Sequence, residues 1–106
     1  MSYDRIDPDI AAWTKRHSLQ LDTQSSGKAI RNVYLSSKAG ECFQIWIDEP
    51  TDDDNFVGVH AACVEGQGED DPPRDWLVDI PNLAEALDYA LTYVLDQMKP
   101  SVPYTL

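Results

Sequence analysis

Apolar and polar residues alternate along much of the chain between Ser18 and Val64, and turn residues divide this segment into short runs. Alternation with a period of two places every second side chain on one face of a β-strand. Short connections join antiparallel neighbours, because a parallel pair needs a longer crossover. The pattern therefore predicts an antiparallel meander, and it constrains the fold more than any other feature of the sequence.

Four strands are expected in this segment. Glycine, proline, serine and clustered aspartates favour turns, and such residues separate the alternating runs. The expected strands are a short one at Leu19 and Leu21, followed by Ile30–Ser36, Cys42–Asp48 and Phe56–Val64.

The register of the last hairpin follows from centring its turn on the acidic segment of residues 49–54. This places Ile47 opposite Phe56 and Cys42 opposite Ala61. The second cysteine, Cys63, would then lie diagonally from Cys42 at roughly 7–8 Å. That separation is too long for an unstrained disulfide. We therefore expect two thiols that pack as small apolar side chains.

Helices are expected at both ends of the chain. Asp7 and Pro8 suit the N-cap and first position of a short helix, on which Ile10, Trp13 and His17 share one face. A longer helix begins at Pro81 and ends before Pro100. Its apolar stripe comprises Leu83, Leu87, Ala90, Leu91, Val94 and Met98.

Together these elements predict one α+β domain over residues 1–106, with a tail at residues 100–106. Its antiparallel sheet of about four strands is packed by an N-terminal helix and a longer C-terminal amphipathic helix. Trp76-Leu77-Val78 is interpreted as a short additional strand or as a segment draped over the core. The longest apolar runs are far shorter than the roughly 20 residues that span a bilayer. The N-terminus also lacks the features of a secretory signal, so a cytoplasmic protein with no membrane partner is expected.

Negative charge is concentrated in one part of the sequence. The chain has a net charge of −11, and residues 41–75 contain eleven acids and a single base, Arg74. Such a localised field repels nucleic acid and attracts basic surfaces. The leading hypothesis is therefore a non-catalytic acidic binding domain of the immunity, inhibitor or effector-chaperone type, which engages a basic protein partner and no nucleic acid.

The candidate contacts with that partner are the acids of two loops and one neighbouring tryptophan. They are Asp52, Asp53, Asp54, Glu69, Asp70, Asp71 and Trp76. Further aromatic side chains could act as anchors, although packing is the favoured interpretation of Trp46 and Phe56. A homodimer through an edge strand or through the flank formed by Tyr89 and Tyr93 is a second possibility.

The alternative hypothesis is a small enzyme or ligand-binding domain that uses carboxylates in a cleft between the sheet and the C-terminal helix. A third is that the charge contributes only to solubility. A deep pocket with a carboxylate of raised pKa would favour the enzyme, whereas a flat acidic face with exposed aromatics would favour binding. No GxSxG motif is present, and catalysis is disfavoured.

No metal or cofactor is expected. Asp52–Asp54 with Asp48 and Glu49 could attract Ca²⁺, but the sequence lacks the oxygen ligand and glycine that an EF-hand requires. A zinc site at His60 and Cys63 is opposed by their spacing, since residues three apart on a strand point to opposite faces. Ser26-Gly27-Lys28 resembles the end of a P-loop without its earlier glycine, and is interpreted as a turn.

Overall fold

The computed structural model describes residues 2–37, 40–50, 55–65 and 72–98. These residues form two helices and five strands, with a short 3₁₀ turn before each helix. In chain order they are the turn Ser2–Arg5, α1 Asp7–Arg16, β1 Leu21–Ser25, β2 Lys28–Ser36, β3 Cys42–Ile47, β4 Phe56–Glu65, β5 Arg74–Asp79, the turn Ile80–Asn82 and α2 Leu83–Met98.

The strands form one antiparallel sheet in the order β1-β2-β3-β4-β5. The predicted α+β meander is confirmed, with five strands rather than four. The fifth strand contains Trp76-Leu77-Val78, and Trp76 lies opposite Val59 of β4. The sequence left open whether this segment is a strand or drapes over the core. Aromatic and β-branched residues favour strands, which explains why it forms a strand.

One face of the sheet is covered by the helices. α2 packs against β3, β4 and β5, and α1 packs against α2. The expected stripe of α2 is confirmed, because its residues from Leu83 to Val94 are buried and Met98 packs at the margin of the core. Neither helix in the described ranges is long and apolar enough to cross a membrane.

Asp7 has a different role from the expected N-cap. The N-cap of α1 is Ile6, and no side chain caps this end of the helix. The Asp7 carboxylate instead accepts two hydrogen bonds from the Arg31 guanidinium of β2, at 2.7 and 3.0 Å. A two-point charge-assisted pair is stronger than a neutral hydrogen bond. The N-cap prediction is therefore wrong, and Asp7 connects α1 to the sheet.

The expected apolar face of α1 is confirmed only in part. Ile10 and Trp13 are fully buried. His17 lies just beyond the last helical residue and is exposed, with its Nε2 atom 3.4 Å from Oδ1 of Asp88 on α2. The ring thus lies at the boundary between the two helices rather than in the core.

The hairpin between β1 and β2 has a two-residue turn at Ser26 and Gly27. Both residues have positive φ angles, of 51° and 80°, which is typical of a type I′ turn. Ser25 pairs with Lys28 across it. The resemblance of this segment to a P-loop is therefore explained by a turn, as the sequence indicated.

The register of the hairpin between β3 and β4 corrects the expected one. Ile47 lies opposite Val59 and not Phe56, a shift by an odd number of residues. The expected register would have placed the alternate apolar residues of the two strands on opposite faces of the sheet. In the observed register they share the helix-covered face, which is the arrangement that the hydrophobic pattern specifies.

The cysteines follow the corrected register. Cys42 lies opposite Glu65 rather than Ala61, and Cys63 lies opposite Phe43. Both are free thiols, with Cys63 buried and Cys42 half-buried. The sequence also predicts two free thiols, but the pairing of Cys42 with Ala61 that supports this prediction is wrong.

Candidate functional site

The second face of the sheet, which we call the open face, has no described helix packed against it. Side chains that alternate with the core residues of β2 to β5 point to this face. They include Asn32, Tyr34, Gln44, Trp46, Phe56, His60, Ala62, Val64, Asp75, Leu77 and Asp79, with Lys28, Ile30 and Ser36 towards the two ends of β2. The solvent face of an antiparallel sheet is commonly polar, whereas this face carries apolar side chains as well.

A row of side chains crosses the middle of the open face. The strand pairing places Asn32 beside Trp46, Trp46 beside His60, and His60 beside Asp75. The indole of Trp46 stacks on the imidazole of His60, with 5.1 Å between the ring centroids and 22° between the planes. The stacked aromatic ring shields one side of the histidine from solvent.

His60 is held between two carboxylates. Its Nδ1 atom lies 2.7 Å from Oδ1 of Asp75, and its Nε2 atom lies 2.7 Å from Oδ2 of Asp48. A neutral imidazole has only one N–H, whereas the imidazolium has two. Two carboxylates can both accept a hydrogen bond only from the imidazolium. We call Asp48, His60 and Asp75 the histidine clamp.

The electrostatics of the histidine clamp agree with this geometry. Burial of the ring disfavours its charged form and lowers the pKa of His60. The hydrogen bonds and charges of Asp75 and Asp48 outweigh that effect, so the pKa of His60 is raised above its ordinary value of 6.5. A carboxylate at hydrogen-bond distance favours the protonated ring.

Gly58 provides the space for the clamp. A β-carbon at this position would stand 2.5 Å from Oδ2 of Asp48 and 3.0 Å from Nε2 of His60. Gly58 has no positive φ angle, so close approach and not backbone conformation explains the glycine. The Asp48 N–H also donates to the Gly58 carbonyl at 2.9 Å, which fixes Asp48 next to the histidine.

Exposed apolar side chains share the open face with the clamp. Four of the most exposed large apolar residues in the described ranges belong to the open face: Tyr34, Phe56, Val64 and Leu77. Leu77 is 76% exposed and lies opposite Gly58, next to the clamp, while Phe56 is 56% exposed. Grouped apolar exposure of this kind marks surfaces that contact other molecules.

The charge of this surface is acidic. In strands β3 to β5, which the structure describes completely, one residue is a lysine or arginine, namely Arg74. Its guanidinium carbon lies 6.0 and 5.6 Å from the ring centroids of Trp76 and Tyr93, on the helix-covered side. Asp48, Asp75 and Asp79 therefore face no lysine or arginine from these three strands on the open face.

The hydrogen bonds of the histidine clamp determine which chemistry its ring can perform. Both ring nitrogens of His60 are already engaged by carboxylates, so the ring offers no free lone pair to a substrate. Cys63 is buried on the other face, where its thiol donates to the Glu65 carbonyl at 3.3 Å. His60 and Cys63 thus point apart, as their spacing indicated. The described residues contain no group of three side chains arranged to hold a metal ion.

Most of the predicted contact residues lie outside the described ranges. These are Asp52, Asp53, Asp54, Glu69, Asp70 and Asp71, whose role stays a prediction. Trp76 lies on the helix-covered side of β5, half-buried against Tyr93 at 6.2 Å between ring centroids. It is not brought together with the clamp, and its role as a contact also stays a prediction.

The remaining aromatic candidates divide between the two faces of the sheet. Trp46 is half-buried on the open face, and Phe56 is exposed there rather than packed, which differs from the expectation. Tyr89 is exposed on α2. The side chains that α2 buries are apolar, so the carboxylates that the structure brings together lie on the other face from the expected cleft.

The clamp itself was not expected from the sequence. Its members were present in the acidic count and in the rejected zinc hypothesis, but their proximity depends on the pairing of β3, β4 and β5. The expected register sets His60 across from Phe43, as a packed or half-exposed strand histidine. The sequence does contain a signal for the correct register. If the alternate apolar residues of β3 and β4 are placed on the same face of the sheet, His60 lies next to Trp46 on the outer face.

The fold and the clamp together define an α+β meander with one covered face and one acidic, partly apolar face. No protein-family model, no curated protein and no solved structure matches this chain. The function is therefore inferred from the geometry and charge of the open face.

Proposed function

We propose that the chain is a non-catalytic binding protein whose open face docks a basic segment of a partner protein. The role is of the kind that immunity proteins, inhibitors and effector chaperones have. The observation that supports it is the grouping of exposed apolar side chains and carboxylates on one sheet face, with Leu77 beside the histidine clamp.

Charge complementarity favours a basic partner over a second copy of this chain. Two open faces brought together would oppose carboxylates to carboxylates, and like-charge contacts at an interface are costly. Lysine or arginine side chains from a partner would instead pair with Asp48, Asp75 and Asp79. The net charge of −11 would also accelerate the encounter with a basic molecule.

The dimensions of the open face set the size of the docked element. Strand spacings of about 4.8 Å and rises of about 3.3 Å per residue give a face of roughly 20 by 20 Å. This area accommodates one helix of about 13 residues or one extended segment. Apolar residues of that segment would cover Leu77 and Phe56, because affinity at interfaces comes mainly from buried apolar and aromatic anchors.

Capture from a native lysate tests the proposal, with paired variants and identification of bound proteins by mass spectrometry. The open-face variant combines Phe56→Ser with Leu77→Ser. The matched control combines Tyr89→Ser with Leu95→Ser, since both residues are exposed on α2. A third variant, Asp48→Asn with Asp75→Asn, removes the charges of the clamp.

The expected result is a protein with a basic segment that binds the wild type and the α2 control, is released by salt, and is lost with both open-face variants. Loss of the partner only with the α2 control would contradict the proposal. Equal capture by all variants, or no specific capture by the wild type, would contradict it too.

A further inference from the structure

In the histidine clamp, the carboxylates of Asp48 and Asp75 bind a cation that belongs to the protein itself, the imidazolium of His60. When His60 is protonated, the two carboxylates and one imidazolium carry a net charge of −1, and both aspartates share their negative charge with the ring. When His60 loses its proton, the same three side chains carry −2, and at least one carboxylate loses its hydrogen-bond donor. The acidity of the open face therefore depends on one proton.

We propose that a proton on His60 and a cationic side chain of the partner compete for the carboxylates of Asp48 and Asp75. A basic segment then binds more tightly as His60 is deprotonated, and its binding releases that proton to solvent. This inference rests on the proposed function, since it describes how pH regulates the same surface.

Accessibility supports the competition. The side chains of Asp48 and Asp75 are 56% and 63% exposed, whereas that of His60 is 21% exposed. A guanidinium or ammonium group can thus reach both carboxylates from solvent, while the ring lies below them against Trp46. The incoming cation would meet repulsion from the imidazolium and attraction from the same two oxygens that the imidazolium uses.

Within the described ranges, the charged groups that act on His60 are the carboxylates of Asp75 and Asp48. Asp75 faces the ring from β5, and Asp48 faces it from the end of β3. The neighbours of His60 on the open face of its own strand are Gly58 and Ala62, which carry no charge. Trp46 and Asn32 continue the row on β3 and β2 without a titratable group in the relevant range.

Linkage sets the size and direction of the effect. If cation binding expels a proton, protonation must weaken cation binding by the same factor. A coupling of the usual size changes affinity by about fivefold or more across the titration of His60. Affinity rises with pH in this case, because the deprotonated clamp is the form that binds the partner.

A nona-arginine peptide is a suitable probe, because arginine does not titrate near neutral pH. Its dissociation constant would be measured at low salt between about pH 6 and pH 8, the range in which histidine changes charge. The variants are His60→Gln and, as the matched control, His17→Gln, whose ring lies at the helix boundary. Spectra of each variant check that it is folded. Gly58→Ala is a second variant that displaces Asp48 and keeps the histidine.

The wild type and His17→Gln should bind about fivefold or more tightly at the upper pH. His60→Gln should bind the peptide nearly equally at the lower and the upper pH. Gly58→Ala should shift the pH at which the affinity changes to a lower value. The same pH dependence in wild type and His60→Gln would overturn the inference and leave the docking proposal standing. Failure of the peptide to bind the wild type at any pH would contradict the proposed function itself.

Discussion

Gly58 lies so close to Asp48 that a β-carbon at position 58 would stand 2.5 Å from the Asp48 Oδ2 atom. That oxygen is the one that accepts the hydrogen bond from Nε2 of His60. Since the atom in the way is the end of a half-exposed side chain, an added methyl group displaces the carboxylate rather than the strand. A substitution at Gly58 can therefore disturb the clamp while the fold is retained.

Gly58→Ala should weaken the clamp and leave the protein folded. The pKa of His60 should fall in this variant, because one of the two carboxylates that raise it is pushed away. Alanine is also the better strand residue, by about 0.5–1 kcal/mol in conformational entropy, which offsets the lost hydrogen bond. An NMR pH titration of the imidazole checks the pKa, and a urea titration checks the fold. An unchanged pKa would show that Asp48 does not act on His60.

Stability should decrease as pH rises through the titration of His60. The pKa of His60 in the folded protein is raised above 6.5. The clamp therefore contributes its full stabilisation at pH values below the pKa that His60 has in the unfolded chain. The contribution is lost as pH rises through the folded-state pKa. Urea unfolding at intervals above about pH 6 measures this. His60→Gln should flatten the dependence, while His17→Gln should retain it; equal slopes in all three proteins would contradict the assignment.

The pair between Asp7 and Arg31 should stabilise the attachment of α1. Arg31 is 12% exposed, contacts the Tyr3 ring at 4.2 Å, and donates to Asp7 at two points. Asp7→Asn should reduce the free energy of unfolding by about 1.5–3 kcal/mol, the range for hydrogen bonds to charged groups. Asp9→Asn, in the same turn of the helix, should cost less than about 1 kcal/mol. Comparable losses for the two variants would indicate a helix-dipole effect alone.

The turn between β1 and β2 offers a stabilising substitution. Ser26 has a φ angle of 51°, in the left-handed region that asparagine tolerates better than serine, and Gly27 follows it. Ser26→Asn creates the preferred sequence for a type I′ turn. It should raise stability by about 0.5–1 kcal/mol, and Gly27→Ala should lower it by a similar amount or more. Thermal unfolding measures both, and a loss of stability in Ser26→Asn would contradict the turn assignment.

The helices and strands could be predicted because their signals are local. The stripe of α2 and the alternation of β2 to β4 depend on residues close in sequence, and the structure keeps them. The N-cap prediction failed for the opposite reason. Asp7 is a good cap in isolation, but Arg31, which lies 24 positions away, pairs with it.

The candidate site could not be predicted, because it depends on three strands in one register. Centring the turn on the acidic segment of residues 49–54 predicts Phe56 opposite Ile47. The buried positions of β4 required Val59 there instead. That shift moved His60 to the outer face, and the pairing of β5 then supplied Asp75.

Site-specific photo-crosslinking in cells of the native host tests the central claim most directly. A benzophenone amino acid would replace Leu77 on the open face or Tyr89 on α2, both of which are exposed. The account predicts a crosslink from position 77 to a basic segment of another protein, and none from position 89. A crosslink from position 89 alone, or none from position 77, would show that the open face is not the docking surface.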